Sequence, residues 1–360
     1  MRTSLSVCVV RHKLNSARRL RQEVQHRSHL ADVSGRVWHR GDVTSVRRIG
    51  IGLAAVGRPA YINAGRERDL SAARSVDALR ERTWAVLDAA YTLGVRYVDV
   101  ARSYGRAEEF LAGWLARRPE VTDVEIGSKW GYRYVGEWRL DVPVHEVKDH
   151  SAAAFATQSA ESLALLGGRL AVYHVHSATL DTGVLEDTEL HRALADLREH
   201  GIRVGISTSG PQQAAAVRRA LDVTVDGEGL FTSFQSTWNI LEPSVGPALA
   251  EAADAGARVI VKEPVANGRL APGGALCPSD ARVAAIAADL GCGVDQLAIA
   301  WVLVQPWAAT VLSGAATPDQ VLSNVGAAGL MLPTEIEDEL LDLAEPAERY
   351  WAERRARAWS

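Results

Sequence analysis

Lysine is scarce in this chain of 360 residues: of its 40 basic residues only Lys13, Lys129, Lys148 and Lys262 are lysines. The arginine bias as a whole reads as genomic composition. Against it, a lysine kept at a strand end stands out, because burial lowers the pKa of an ammonium group and leaves a guanidinium charged. Cysteine is scarce too: Cys8, Cys277 and Cys292 are odd in number and follow no disulfide or metal-ligand spacing. They read as free thiols in a reducing compartment, so a cytoplasmic location is expected and a disulfide scaffold is excluded. No apolar run approaches the roughly 20 residues that a membrane helix needs. Neither sign of charge dominates, since 40 Lys+Arg against 44 Asp+Glu leave a formal net charge of -4. That balance gives no reason to expect a nucleic acid or an anionic membrane as partner. There is no linker rich in Pro or Ser and no short repeat.

What the chain does have is apolar residues, at 47% of the total, enough for a large core. The first 35 residues differ from the rest, being rich in Arg and Ser and poor in acids. That composition overlaps with organellar transit peptides. The segment lacks a secretory apolar core, and residues 1–35 read as a disordered N-terminal extension.

From about residue 48 short apolar runs alternate with amphipathic stretches. Eight strands are predicted: Arg48–Ala54, Val95–Val100, Val124–Lys129, Leu170–His176, Arg203–Ser207, Leu230–Gln235, Ala257–Lys262 and Thr310–Ser313. Helical periodicity falls between them, near 71–93, 106–117, 152–166, 188–200, 211–221, 245–255, 279–304 with a break at Gly291–Gly293, and 317–328. Ser151 precedes one such stretch as a cap, and Pro318 stands where a first helical turn tolerates proline. Strands alternating with helices imply a parallel sheet, and eight such units fit a closed α/β barrel, the (β/α)8 TIM barrel, better than an open sheet. The barrel is expected over residues 45–345, with residues 346–360 forming a tail near its mouth.

The stretch R-Y-V-D-V-A-R-S-Y-G-R-A-E-E, Arg96 to Glu109, carries the most chemistry. An apolar run ends in Asp99, Tyr104 follows five residues later, and a glycine and a helical pattern come next. A phenol gives up its proton only near pH ~10, so a tyrosine acting on protons near neutrality needs a cation beside it. Lys129, at the end of the next predicted strand, is the candidate, and His176 ends the strand after that. In a barrel of this type the active site forms at the C-terminal ends of the strands, where these residues fall.

Asp, Tyr, Lys and His in this order resemble the tetrad of the aldo-keto reductases, and the likeness covers roughly residues 45–330. The resemblance implies that Tyr104 is the general acid toward a carbonyl, or the base toward an alcohol. It implies that Lys129 lowers the tyrosine's pKa, that Asp99 pairs with Lys129, and that His176 orients the carbonyl. Chemistry at carbon then needs a nicotinamide cofactor. The same resemblance assigns cofactor contacts to Gly52 after the first strand and to Ser207 and Thr208 in G-I-S-T-S, with Thr208 replacing the usual Asn. It adds Gln235, then Lys262, Pro264, Gly268 and Leu270 in V-K-E-P-V-A-N-G-R-L, and Gly314, Gln320 and Asn324 in L-S-G-A-A-T-P-D-Q-V-L-S-N.

Two departures from the family pattern bear on specificity. Lys262 stands where the family usually places an aromatic that stacks on nicotinamide, so Trp238 substitutes or Lys262 touches the substrate. The last block holds Gly314, Ala315, Ala316 and Gln320 where NADP-specific members place a cation. A phosphate without a charge-assisted partner loses affinity, so the cofactor is NADP or NAD, with NAD plausible unless a residue such as Arg269 grips the phosphate. G-I-G-L-A-A, from Gly50, fits a dinucleotide fingerprint but leads into Pro59 and no helix, so it reads as the first barrel strand.

Trp130, Trp138, Trp238 and Trp351 are the expected substrate walls, suited to an apolar or sugar-like small-molecule carbonyl or alcohol. His145 and His150 lack a third ligand, and no metal site is expected. The expected activity is carbonyl reduction or the reverse oxidation. The alternatives are an NAD-dependent sugar (aldose) dehydrogenase on the same scaffold and a nicotinamide-binding regulatory protein with little turnover.

Overall fold

A computed structural model of the protein describes residues 43–62, 69–70, 73–274 and 277–359; the N-terminal extension expected over residues 1–35 lies outside them. Eight strands form a closed parallel barrel: β1 Ile49–Gly52, β2 Tyr97–Asp99, β3 Glu125–Trp130, β4 Leu170–Ala178, β5 Arg203–Thr208, β6 Ser233–Thr237, β7 Arg258–Lys262 and β8 Thr310–Ser313. They pair in sequence order, and β8 closes on β1. Each observed strand overlaps a predicted one. The boundaries differ by at most three residues, and those of β8 coincide.

Helices between the strands wrap the barrel: α1 Val76–Thr92, α2 Ala107–Ala116, α3 Ala152–Leu166, α4 Thr188–Glu199, α5 Gln213–Leu221, α6 Gly246–Asp254, α7 Pro278–Asp289, α8 Val294–Leu303 and α9 Pro318–Gly326. The break predicted at Gly291–Gly293 separates α7 from α8. Ser151 caps α3 by accepting from the Ala154 N–H at 3.1 Å, and Thr317 caps α9 by accepting from Gln320 N–H at 3.2 Å. Two further helices, α10 Thr334–Leu341 and α11 Ala347–Arg355, follow the barrel. Among the described residues no single helix is long and apolar enough to cross a membrane.

The barrel interior is plugged below the site. Tyr97, Val172, Ile260 and Leu312, from β2, β4, β7 and β8, are all at most 5 % exposed and form one small apolar cluster. Side chains of this size exclude water from the barrel axis, as in other barrels whose interior is a packed core. The larger core lies between strands and helices, with Trp114, Trp301 and Phe110 fully buried. The region after β3, expected as a long loop, contains a hairpin in which Tyr132–Tyr134 pairs antiparallel with Glu146–Lys148 over the barrel mouth.

Candidate active site

The site is built where β2, β3 and β4 end. Asp99 is the last residue of β2 and lies opposite Gly127 of β3, so its carboxylate enters the barrel top beside Lys129 two residues further along. The Lys129 ammonium donates to Asp99 Oδ2 and, at 2.9 Å, to the Val100 carbonyl. Gln235 Nε2 of β6 donates to the other carboxylate oxygen at 2.7 Å. The pair is sealed, with side-chain exposures of 0 % and 4 %. Both charges are therefore compensated in place, which burial demands.

Tyr104 is set by a tight contact between two loops. A Cβ on Gly57, in the loop after β1, would come within 2.5 Å of the Tyr104 carbonyl oxygen and 2.6 Å of Ala107 Cβ. Gly105, at φ 61°, meets the Gly57 carbonyl as closely. With both side chains absent, Arg106 N–H donates to Gly57 O at 2.9 Å and α2 starts directly after the tyrosine. The Tyr104 ring then lies 4.8 Å from Lys129 Nζ and edge-on to His176, with centroids 5.5 Å apart.

The electrostatics run against the expectation that Lys129 holds this phenol low. Burial pushes Tyr104 well above the ordinary 10, the Asp99 carboxylate adds to the rise, and Arg58 acts against it. Tyr104 therefore keeps its proton at neutral pH, as a general acid requires. His176 is pushed well below its usual 6.5, first by burial and then by Lys129, Arg58 and Lys262, and is neutral at pH 7. Its Nδ1 stands 3.4 Å from Ser103 Oγ, and the ring lies edge-on to Tyr132, with centroids 5.0 Å apart.

A cavity of about 320 Å³ opens above this floor, and Gly52, Asp99, Tyr104, His176, Gln235, Lys262, Pro264 and Gly314 all line it. Lys129 lies beneath it. The other expected cofactor residues are engaged within the protein. Ser207 Oγ accepts from Ser177 N–H at 2.8 Å, and Thr208 is buried against Ser236 and Gln213, leaving Ser209 to line the cavity. Gln320 accepts from Ala316 N–H at 2.8 Å, and Asn324 is held between Ser313 and Asp295. Gly268 and Leu270 are buried in the turn after β7. Arg269 is enclosed by Asp280 and Glu345, with contacts of 2.7 and 2.5 Å, so it has no charge to offer a cofactor phosphate.

The four expected substrate tryptophans lie away from the cavity. Trp130 packs on Phe155 outside the barrel, and Trp138 donates to the Arg74 carbonyl. Trp238 stacks on Trp301 at 4.1 Å and 5° and donates to Pro243 O, so it cannot replace the missing nicotinamide stacker. Trp351 is buried, donating to Glu242 at 2.9 Å. Tyr61, Tyr132 and Trp359 form the aromatic lining instead. Trp359 stacks on His145 at 4.5 Å and lies 4.7 Å from the Arg58 guanidinium. Arg58, 2 % exposed, donates to Glu146 and to the Ser103 carbonyl. Sequence reasoning missed Arg58, Glu146, Glu263, Arg354 and Trp359 as lining residues.

A family model described as the aldo/keto reductase family matches residues 48–340. The chain belongs to the aldo-keto reductase family. It is 24% identical over 342 residues to an NADH-specific methylglyoxal reductase of Escherichia coli (strain K12), covering 86% of this chain and 97% of that protein. Among solved structures, the holo form of an aldo-keto reductase from Bacillus halodurans matches with a TM-score of 0.61 at 21% identity, covering 83% of this chain and 93% of that one. The glycerol dehydrogenase of Gluconobacter oxydans matches with a TM-score of 0.61 at 20% identity, covering 82% and 90%. This aldo-keto reductase is thus an NAD(P)-dependent oxidoreductase of carbonyl or alcohol substrates.

The residues present fit a nicotinamide cofactor. A Cβ on Gly314 would meet nothing within 4 Å, so the backbone there stays open to a ligand. The Gln235 amide and Ser209 hydroxyl suit a carboxamide, and Arg355 on the exposed rim offers a cation for a pyrophosphate.

Proposed function

We propose that this protein reduces a small aldehyde or ketone with NADH, using Tyr104 as the general acid. The observation that carries the reading is the sealed Asp99–Lys129–Gln235 floor beneath a protonated Tyr104 and a neutral His176. The hydride for the carbonyl carbon would come from a reduced nicotinamide when one is bound. The chain's part is to hold the carbonyl oxygen between Tyr104 and His176 and to deliver the phenolic proton to that oxygen. Lys129, fixed by Asp99, stabilises the phenolate left behind. The apolar plug below and the aromatic rings of Tyr61, Tyr132 and Trp359 above keep water from the reacting atoms.

Three points support NAD over NADP. The last block carries no cation at Gly314 or Gln320, Arg269 is consumed by carboxylates, and the curated relative is named as NADH-specific. The same relative makes 2-oxoaldehydes such as methylglyoxal the first substrate class to try. The test is a panel of aldehydes, ketones, polyols and aldoses run with NADH, NADPH and their oxidised forms. The reading predicts the highest kcat/KM for a small carbonyl with NADH. Turnover restricted to aldose oxidation would favour the sugar dehydrogenase, and tight cofactor binding without turnover would favour a regulatory protein.

A further inference from the structure

We propose that Lys262 makes this chain discriminate between the two redox states of its cofactor: its ammonium opposes the cationic oxidised nicotinamide ring and leaves the neutral reduced ring unopposed. The inference rests on the nicotinamide-linked reading of the cavity.

The charges around the cavity pair off except for Lys262 and, on the exposed rim, Arg355. On the floor Asp99 cancels Lys129, and at one side Arg58 cancels Glu146 at 2.7 Å. At the opposite rim Glu263 receives Arg354, which donates to both carboxylate oxygens, and the Thr237 hydroxyl at 3.1 Å. Lys262, the last residue of β7, pairs in register with Thr237 and donates to its hydroxyl at 2.6 Å. Its nearest carboxylate, Glu263, is 3.8 Å away and already satisfied by Arg354. The Trp351 ring lies 5.9 Å from its Nζ. Lys262 therefore keeps a net positive charge facing the cavity that Tyr104 and His176 line, with Arg355 the further cation on the exposed rim.

A pyridinium placed against that charge is repelled; a dihydropyridine is not. The aromatic that would tolerate both ring states is absent, since Trp238 is stacked on Trp301. Lys262 is also poised to titrate. Burial lowers its pKa to about 8, with Arg354 and Lys129 acting in the same direction and Glu263 and Asp99 opposing them. Below that pH the ammonium is present and the oxidised cofactor is disfavoured. As pH rises through it the charge is lost and the opposition fades.

Calorimetric titration of the full chain with NADH and, separately, with NAD+ tests this between pH 6.5 and 9.5. At pH 7 the ratio of NAD+ to NADH dissociation constants should fall on the order of tenfold from wild type to Lys262→Met, from the loss of a nearby like charge. In wild type, NAD+ affinity should rise with pH through about 8 while NADH affinity stays nearly flat. Lys262→Arg should keep the low-pH discrimination and lose the step, because a guanidinium does not titrate there. An unchanged ratio in Lys262→Met, including an equal loss of both affinities as for a phosphate contact, overturns the proposal. So does a wild-type ratio that does not move with pH, which needs no variant to fold. If wild type binds neither nucleotide, the nicotinamide reading fails and this inference with it.

Discussion

Two lysines close on the cavity of this barrel, and they are held in opposite ways. Lys129 at the floor has no exposed side-chain surface, a carboxylate in direct contact and a backbone carbonyl at 2.9 Å. Lys262 at the rim is 16 % exposed and rests on a hydroxyl, with a shared carboxylate at 3.8 Å. The floor is a buried ion pair packed beneath Tyr104. The rim is a cluster of one carboxylate and two cations whose net charge changes in the physiological range. Identical side chains thus take different work from their partners, and the partners come from different parts of the chain.

The largest expected effect is at the floor. Lys129→Met leaves the buried Asp99 carboxylate without its cation, so stability should fall by about 3–5 kcal/mol in denaturant titration. Turnover should fall by roughly 10²–10⁴-fold, because the phenolate has lost its stabilising charge. A variant that loses less than 1 kcal/mol, or keeps activity within about threefold, would erase the contrast with the rim.

The next effect concerns the cofactor's adenosine end. Gln320→Arg with Gly314→Lys should shift the NADP/NAD ratio of kcat/KM toward NADP, since each well-placed charge-assisted contact is worth roughly 1.5–3 kcal/mol. A wild-type preference for NADPH above about a hundredfold would contradict the reading that no cation grips the 2′-phosphate.

Arg354→Met sharpens the comparison from the other side. Its partner Glu263 sits at φ 57°, and its neighbours Ala266 and Asn267 are at 49° and 53°, a strained turn held by Arg354 and by Arg357, which donates to the Ala266 carbonyl. The expected cost is about 1–2 kcal/mol, less than at the floor because the pair is partly solvated. Cofactor affinity should weaken while kcat changes little. A loss as large as that of Lys129→Met would mean that rim and floor are equally sealed.

The smallest effect is in pH dependence. Tyr104 titrates well above 10, so carbonyl reduction should run without a basic limb attributable to the phenol up to about pH 9, whereas alcohol oxidation should keep rising with pH as the phenolate becomes accessible. Steady-state rates in both directions check this. A reduction rate that collapses between pH 7 and 8 would put the acid elsewhere.

The floor was legible in the sequence and, of the rim, Lys262 and Pro264 were, but their charged partners were not, for a physical reason. Asp99, Lys129 and His176 each close an apolar run, so strand periodicity places their backbones at one end of the barrel, and Tyr104 follows in the loop after Asp99. Arg58 carries no such mark. It sits in a loop fixed by the Gly57–Gly105 contact, and its partner Glu146 arrives on a hairpin. Arg354 reaches Glu263 from α11, across 91 residues. Tryptophan was a poor guide to the cavity. Trp130, Trp238 and Trp351 bury their rings between helices and strands, as large apolar side chains generally do, and only the geometry of the C-terminal segment separates them from Trp359.

On the proposed function, Tyr104 is the proton donor above a fixed floor while the cofactor is held elsewhere. Tyr104→Phe tests it most directly, with NADH affinity followed by fluorescence titration beside the rate of carbonyl reduction. Affinity should stay within about twofold of wild type and the rate should fall by roughly 10²–10⁴-fold. Turnover within about threefold of wild type would contradict it.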